Sequence, residues 1–154
     1  MEISKEIEKI INQYMEDEGE IEEDNFIGGV CEEKIKDVEK YLEIQFPEDY
    51  RWFLKRYGAG GIEGIDILGI EKEQSEIEKN TVVYATSQFR NEYNLASNIA
   101  IIEYSGGYAT GINTKNTVGE KSIVLIEPCK GGEIISKCDN FGEYFLDKLK
   151  YMLE

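Results

Sequence analysis

The 154-residue chain has no histidine, two prolines, three cysteines, and 17 basic residues against 32 acidic ones. Each shortage removes a class of chemistry. Without histidine there is no Ser-His-Asp or Cys-His nucleophile and no imidazole general base, and the commonest zinc ligand is missing. Cys31, Cys129 and Cys138 are odd in number and far apart. They form no CxxC pair, which argues against a zinc ribbon or a thioredoxin-like redox site. They read as small buried residues in a reducing compartment. The net charge of -15 repels nucleic acid and anionic membranes and favours basic partners. No run approaches the ~20 apolar residues of a membrane span. The acidic start at Glu2 lacks the apolar stretch of a signal peptide. The expectation is a cytoplasmic protein without cofactor, metal, nucleic-acid or membrane partner.

What is present suits a folded chain. Hydrophobic residues make up 41% and aromatics 11%, enough to bury a core. The length fits one domain over 1–154. Ile3, Ile7, Ile10, Ile11 and Tyr14 share one face of a first helix. Cys31, Ile35, Val38, Tyr41 and Leu42 do the same in a second. Asn80 is placed to cap a helix with Val82, Ala85, Thr86 and Phe89 inward. Ile65 to Leu68 reads as a short strand. Ile99 to Glu103 and Tyr108 to Asn113 flank Ser105-Gly106-Gly107 as a hairpin. Ile123 to Glu127 is a third strand, stopped by Pro128. Glu133 to Lys137 is a fourth, after a turn at Lys130-Gly131-Gly132. Asn140 with Glu143 resembles a capping box. It opens a last helix with Phe141, Phe145, Leu149, Met152 and Leu153 on one face. Helices, then an antiparallel meander, then a helix make the class α+β.

The most informative stretch runs from Phe46 to Gly61. Pro47 suits the first helical position, where a missing N–H costs nothing. Glu48 and Asp49 favour the start of the helix dipole, and Lys55 and Arg56 its end. Tyr50, Phe53, Leu54 and Tyr57 make one apolar stripe. Gly58 supplies a left-handed stop. This stretch resembles the signature of the SUKH superfamily, the SMI/KNR-type domain, roughly LPxDYxxFLxxYNGG. Pro47, Asp49, Tyr50, Phe53, Leu54, Tyr57, Gly60 and Gly61 match it. Phe46 stands for the leading Leu. Gly58-Ala59 stands where many members carry Asn, and Asn also tolerates left-handed geometry. The resemblance implies one α+β domain with an antiparallel-rich, curved sheet of about four to six strands flanked by helices. It also implies an immunity protein, or antitoxin. Such a protein neutralises the toxin domain, often a nuclease, of a polymorphic secreted toxin made by the same cell. The toxin would be basic and encoded by a neighbouring gene. The motif carries no catalytic residue. Fungal relatives suggest the alternative of a regulatory scaffold or small-ligand sensor.

Several features compete as sites. Glu16, Asp17, Glu18, Glu20, Glu22, Glu23 and Asp24 form an acidic segment uninterrupted by Lys or Arg. It reads either as a docking patch for a basic partner or as a solvated loop. Its spacing does not fit an EF-hand. Trp52 points off the apolar stripe, either as an interface anchor or as packing against another helix. Gly58, Gly60 and Gly61 follow a helix and lack the Lys-Ser/Thr of a phosphate loop. Tyr84, Tyr93, Tyr104 and Tyr108 read as half-buried cover for the sheet, or as exposed recognition residues. Among 32 acids some carboxylate pair will always suit a hydrolase, so no pair is singled out.

Overall fold

The structure, a computed structural model, describes residues 2–105, 107–115, 122–128, 133–138 and 140–154. Among these described residues, five helices and one sheet follow the expected order. Helices α1 (Glu2–Glu18), α2 (Glu32–Leu42), α3 (Glu48–Arg56) and α4 (Thr81–Tyr93) precede strands β1 (Ile99–Ser105), β2 (Tyr108–Asn113), β3 (Ile123–Glu127) and β4 (Glu133–Cys138). Helix α5 (Phe141–Met152) closes the chain, and single 3-10 turns lie at Glu22–Asp24 and Ile77–Lys79. The strands pair antiparallel in the order β1-β2-β3-β4. An expectation reaching six strands overstated this sheet.

Strand alternation sends side chains to two faces. Ile99, Ile101, Ala109, Val124 and Ile126 pack against Ala85 and Phe89 of α4. Ala100, Ile102, Ile112 and Ile123 join the larger core built by α1, α2, α3 and α5. The register of β1 and β2 shifts between Ile101 and Glu103. This bulge turns Glu103 to the same side as Ile102, toward α5. There Glu103 accepts hydrogen bonds from Tyr144 and, at 2.7 Å, from Lys148.

Helix α3 lies at the centre of the core. Tyr50, Phe53, Leu54 and Tyr57 are all fully buried. Phe53 meets Phe141 at 5.5 Å and Phe145 at 5.4 Å between ring centroids, edge to face. Pro47 is the residue before the helix, one position earlier than expected. Its φ of -66° with ψ of 157° is extended, and its carbonyl accepts from Arg51 N–H at 3.0 Å. Gly58 stops the helix with φ +80°. A Cβ there would penetrate the Gly28 carbonyl oxygen. The position therefore needs glycine for space as well as for its dihedral.

Other expectations need correction. Ile65–Leu68 makes only an isolated bridge, Gly60 with Ile67, plus Leu68 N–H donating to Ile102 at 2.7 Å. Glu63 and Gly64, both at positive φ, curl the chain before a strand can form. Tyr41 is 49% exposed, and Cys31 is exposed just before α2. Both lie at the edge of the apolar stripe that Ile35, Val38 and Leu42 bury. Met152 and Leu153 are exposed at 40% and 38%, because α5 runs past the core after Leu149. Asn80 precedes α4 but does not cap it. Its side chain accepts from Glu71 N–H at 2.9 Å and donates to Ile77. Asn140 does cap α5, accepting from Glu143 N–H at 2.9 Å. Cys129, Gly106 and the turn at Lys130-Gly131-Gly132 lie outside the described residues, as does the burial of Cys138.

Candidate interaction surface

The acidic segment is two structures, not one loop. Glu16, Asp17 and Glu18 form the last turn of α1 and are exposed. Glu22, Glu23 and Asp24 form the 3-10 turn that follows. No basic residue lies in that last helical turn. Helix C-termini favour cations, so three acids there work against the dipole. Folding alone does not ask for this arrangement.

Two members are held by the fold. Arg56 pairs with Glu22 through two nitrogens and with Glu8 through Nε at 2.9 Å. Asn25 donates to Glu20 at 2.9 Å. Tyr14 donates to Glu63 at 2.9 Å and more loosely to Glu20 at 3.4 Å. The bond to Glu63, with the acids around it, pushes the Tyr14 pKa up to about 12. Glu16, Asp17, Glu18, Glu23 and Asp24 remain exposed. Ile21 and Ile27 stand among them, 57% and 44% exposed. Their exposure was invisible in a segment that reads as a charge run. Beside the patch, a groove of about 860 Å³ runs between α1 and the end of α5, lined by Ile10, Tyr14, Asp17, Glu18, Lys150 and Met152.

Trp52 is half-buried. It packs edge-on against Tyr57, 5.9 Å between centroids. The signature residues hold the fold. Asp49 accepts from Gly142 N–H at 2.9 Å, tying α3 to the start of α5. Tyr50 donates to the Leu68 carbonyl at 2.6 Å. Gly60 and Gly61 leave no room for a Cβ against Asn25 and Ile65 backbone. Beside them, Arg51 is buried and pairs with Glu39 at 2.6 Å and with Glu32, bridging α3 to α2.

The tyrosines contradict their reading as half-buried cover. Tyr84, Tyr104 and Tyr108 are 61%, 46% and 46% exposed, and only Tyr93 is half-buried. They border a groove of about 570 Å³ with Gln88, Phe89 and Pro128. Tyr84 follows Val83 on the outer side of α4, and Tyr104 lies beyond the bulge. Neither helical nor strand period could place them together.

Among the described residues, no cluster of three or more His, Cys, Asp or Glu is placed to hold a metal. None of the described helices is long and apolar enough to cross a membrane.

The architecture is an α+β domain that displays an acidic patch and the rings of Tyr84, Tyr104 and Tyr108 on the outside. The sequence model of the SUKH_5 family, described as SMI1-KNR4 cell-wall, matches residues 7–150, and the chain belongs to that family.

Proposed function

We propose that this chain, over residues 1–154, is one SUKH domain acting as an immunity protein. It binds the basic toxin domain of a polymorphic secreted toxin, a nuclease by preference, and occludes it in the cytoplasm without catalysis. One observation carries the reading beyond family membership. Exposed acids crowd the C-terminal end of α1 with no compensating cation in its last turn. Such a surface complements a site built to hold phosphates and speeds encounter with it. Glu16, Asp17, Glu18, Glu23 and Asp24 would make the contact, with Ile21 as an apolar anchor. Glu20 and Glu22 would hold the patch in shape, and Trp52 would support it from behind through Tyr57. The test is co-expression with the toxin encoded by the neighbouring gene. Rescue of growth and a complex on co-purification are expected. Cells that grow freely with the toxin alone, or no complex, would sink the reading.

A second reading is a non-catalytic regulatory scaffold or small-ligand sensor. The groove between α1 and α5, apolar at Ile10 and Met152, favours it. A gene neighbourhood without a toxin, with a small molecule protecting the protein against heat, would select this reading instead.

A further inference from the structure

We propose that the tyrosine groove between α4 and the β1–β2 hairpin is a binding site for a cationic side chain, an arginine guanidinium, presented by a partner protein. It adds a second contact to the toxin-binding reading but does not depend on it.

The groove is preformed. Phe89 anchors its floor, with Tyr93 at 5.0 Å and Tyr104 at 5.6 Å between ring centroids. Tyr104 is tied to Gln88 by a hydrogen bond of 3.3 Å. Tyr84 and Tyr108 complete the walls and are left open to solvent. Three large rings exposed at one corner are more than the core requires, and Tyr is enriched where proteins bind proteins. The volume suits one or two side chains rather than a folded element.

The electrostatics select the occupant. Among the described lining residues there is no Lys or Arg. The basic residue of α4, Arg90, is turned away and donates to the carbonyls of Leu42 and Ser97 at 2.9 and 2.7 Å. The carboxylate of Glu92 is at hand instead, accepting from the lining Gln88 at 3.5 Å. Burial, then Tyr84, Tyr93 and Glu92, push the Tyr104 pKa up, so its phenol stays protonated. Tyrosine faces attract cations, and the phenol and Gln88 oxygens can accept from a guanidinium. A net charge of -15 repels an anionic occupant and a second copy alike.

The test uses no toxin, so its failure is separate from failure of the immunity reading. Tyrosine ring signals are followed by NMR while a capped Gly-Arg-Gly peptide is added. The protein carries Glu16, Glu18, Glu23 and Asp24→Lys, so that the acidic patch cannot compete. Signals of Tyr84, Tyr104 and Tyr108 are expected to move. The citrulline counterpart, isosteric but uncharged, is expected to bind about tenfold more weakly. Tyr84→Leu with Tyr104→Leu is expected to abolish the response, with Trp52 fluorescence confirming the fold. Tyr84→Phe, which keeps the ring, is expected to retain it. Equal binding of both peptides, no movement with arginine, or movement that survives the leucine changes would overturn the proposal.

Discussion

The Arg56 guanidinium grips the Glu22 carboxylate with both terminal nitrogens, at 2.9 and 3.0 Å, while its Nε donates to Glu8. One cation from α3 thereby fastens the 3-10 turn to α1. The pairing draws a line through the acidic segment. Glu22 belongs to the fold, whereas Glu16, Asp17, Glu18, Glu23 and Asp24 stay exposed on the surface.

That division predicts opposite outcomes within one patch. Glu18→Lys places a cation at a helix C-terminus and is expected to stabilise by about 0.3–1 kcal/mol. The same charge change at Glu22 breaks a bidentate pair and leaves Arg56 facing a lysine. A loss of about 1–2 kcal/mol is expected there, because the pair is only partly shielded from water. Thermal unfolding of the two variants separates the roles; equal destabilisation would mean that both acids belong to the fold. If the patch docks a basic toxin, the combined Glu16, Glu18, Glu23 and Asp24→Lys variant associates more slowly, with a weaker salt dependence. Unchanged on-rates would leave the patch as solubility surface.

Gly58 gives a sharper case. Asparagine fills this place in many related signatures and adopts positive φ readily. Here the position is also crowded. The chain of Gly28 crosses beside it, and Ile70 N–H donates to the Gly58 carbonyl at 3.0 Å. Gly58→Asn is therefore expected to cost more than about 2 kcal/mol, despite its tolerable dihedral. A chemical denaturation midpoint close to that of the unchanged protein would show that the loops yield.

These two cases mark what the sequence makes legible. Helix α3 was readable because dipole charges, apolar period and stop signal all lie within a few neighbouring residues. The hairpin and the Asn140 cap were readable for the same reason. Spatial pairing was not. Arg56 and Glu22 are 34 residues apart, so no local pattern shows which acid is engaged. The tyrosine groove joins a helix to a hairpin, and the bulge at Glu103 inverts the strand period on which its face would be predicted. Met152 and Leu153 keep helical period, but period does not reveal where the core ends.

Glu71 carries a pH prediction. Burial pushes its carboxyl above the ordinary range, against the backbone N–H groups and Lys34 that pull it down. Its Oε2 is buried with no hydrogen-bond partner among the described residues. A raised pKa means that the folded state binds the proton more tightly than the unfolded state. The stabilising contribution is thus full below the unfolded pKa and is lost as pH rises through the folded one. Glu71→Gln, neutral at every pH, is expected to gain in Tm relative to the unchanged protein between pH 4 and pH 7. A difference that stays flat across that range would refute the assignment. Lys34, which donates to the carbonyls of Glu71, Lys72 and Gln74 at 2.8, 2.5 and 3.0 Å, holds the loop in both proteins.

The bulge in β1 turns one charge inward. Glu103 is 3% exposed, and its carboxylate receives Lys148 and Tyr144. Thr110 is 3.3 Å from the same phenol. Lys148→Met leaves a buried carboxylate without its cation. Such losses cost about 3–5 kcal/mol, and the lower end applies because Lys148 is itself 25% exposed. Glu103→Leu with Lys148→Met removes both charges and is expected to recover most of that loss, since an apolar pair of similar volume fills the space between β1 and α5. A double-mutant cycle by urea denaturation measures the coupling. Coupling near zero would mean that water already screens the pair, and that the bulge serves backbone geometry rather than the charge it carries.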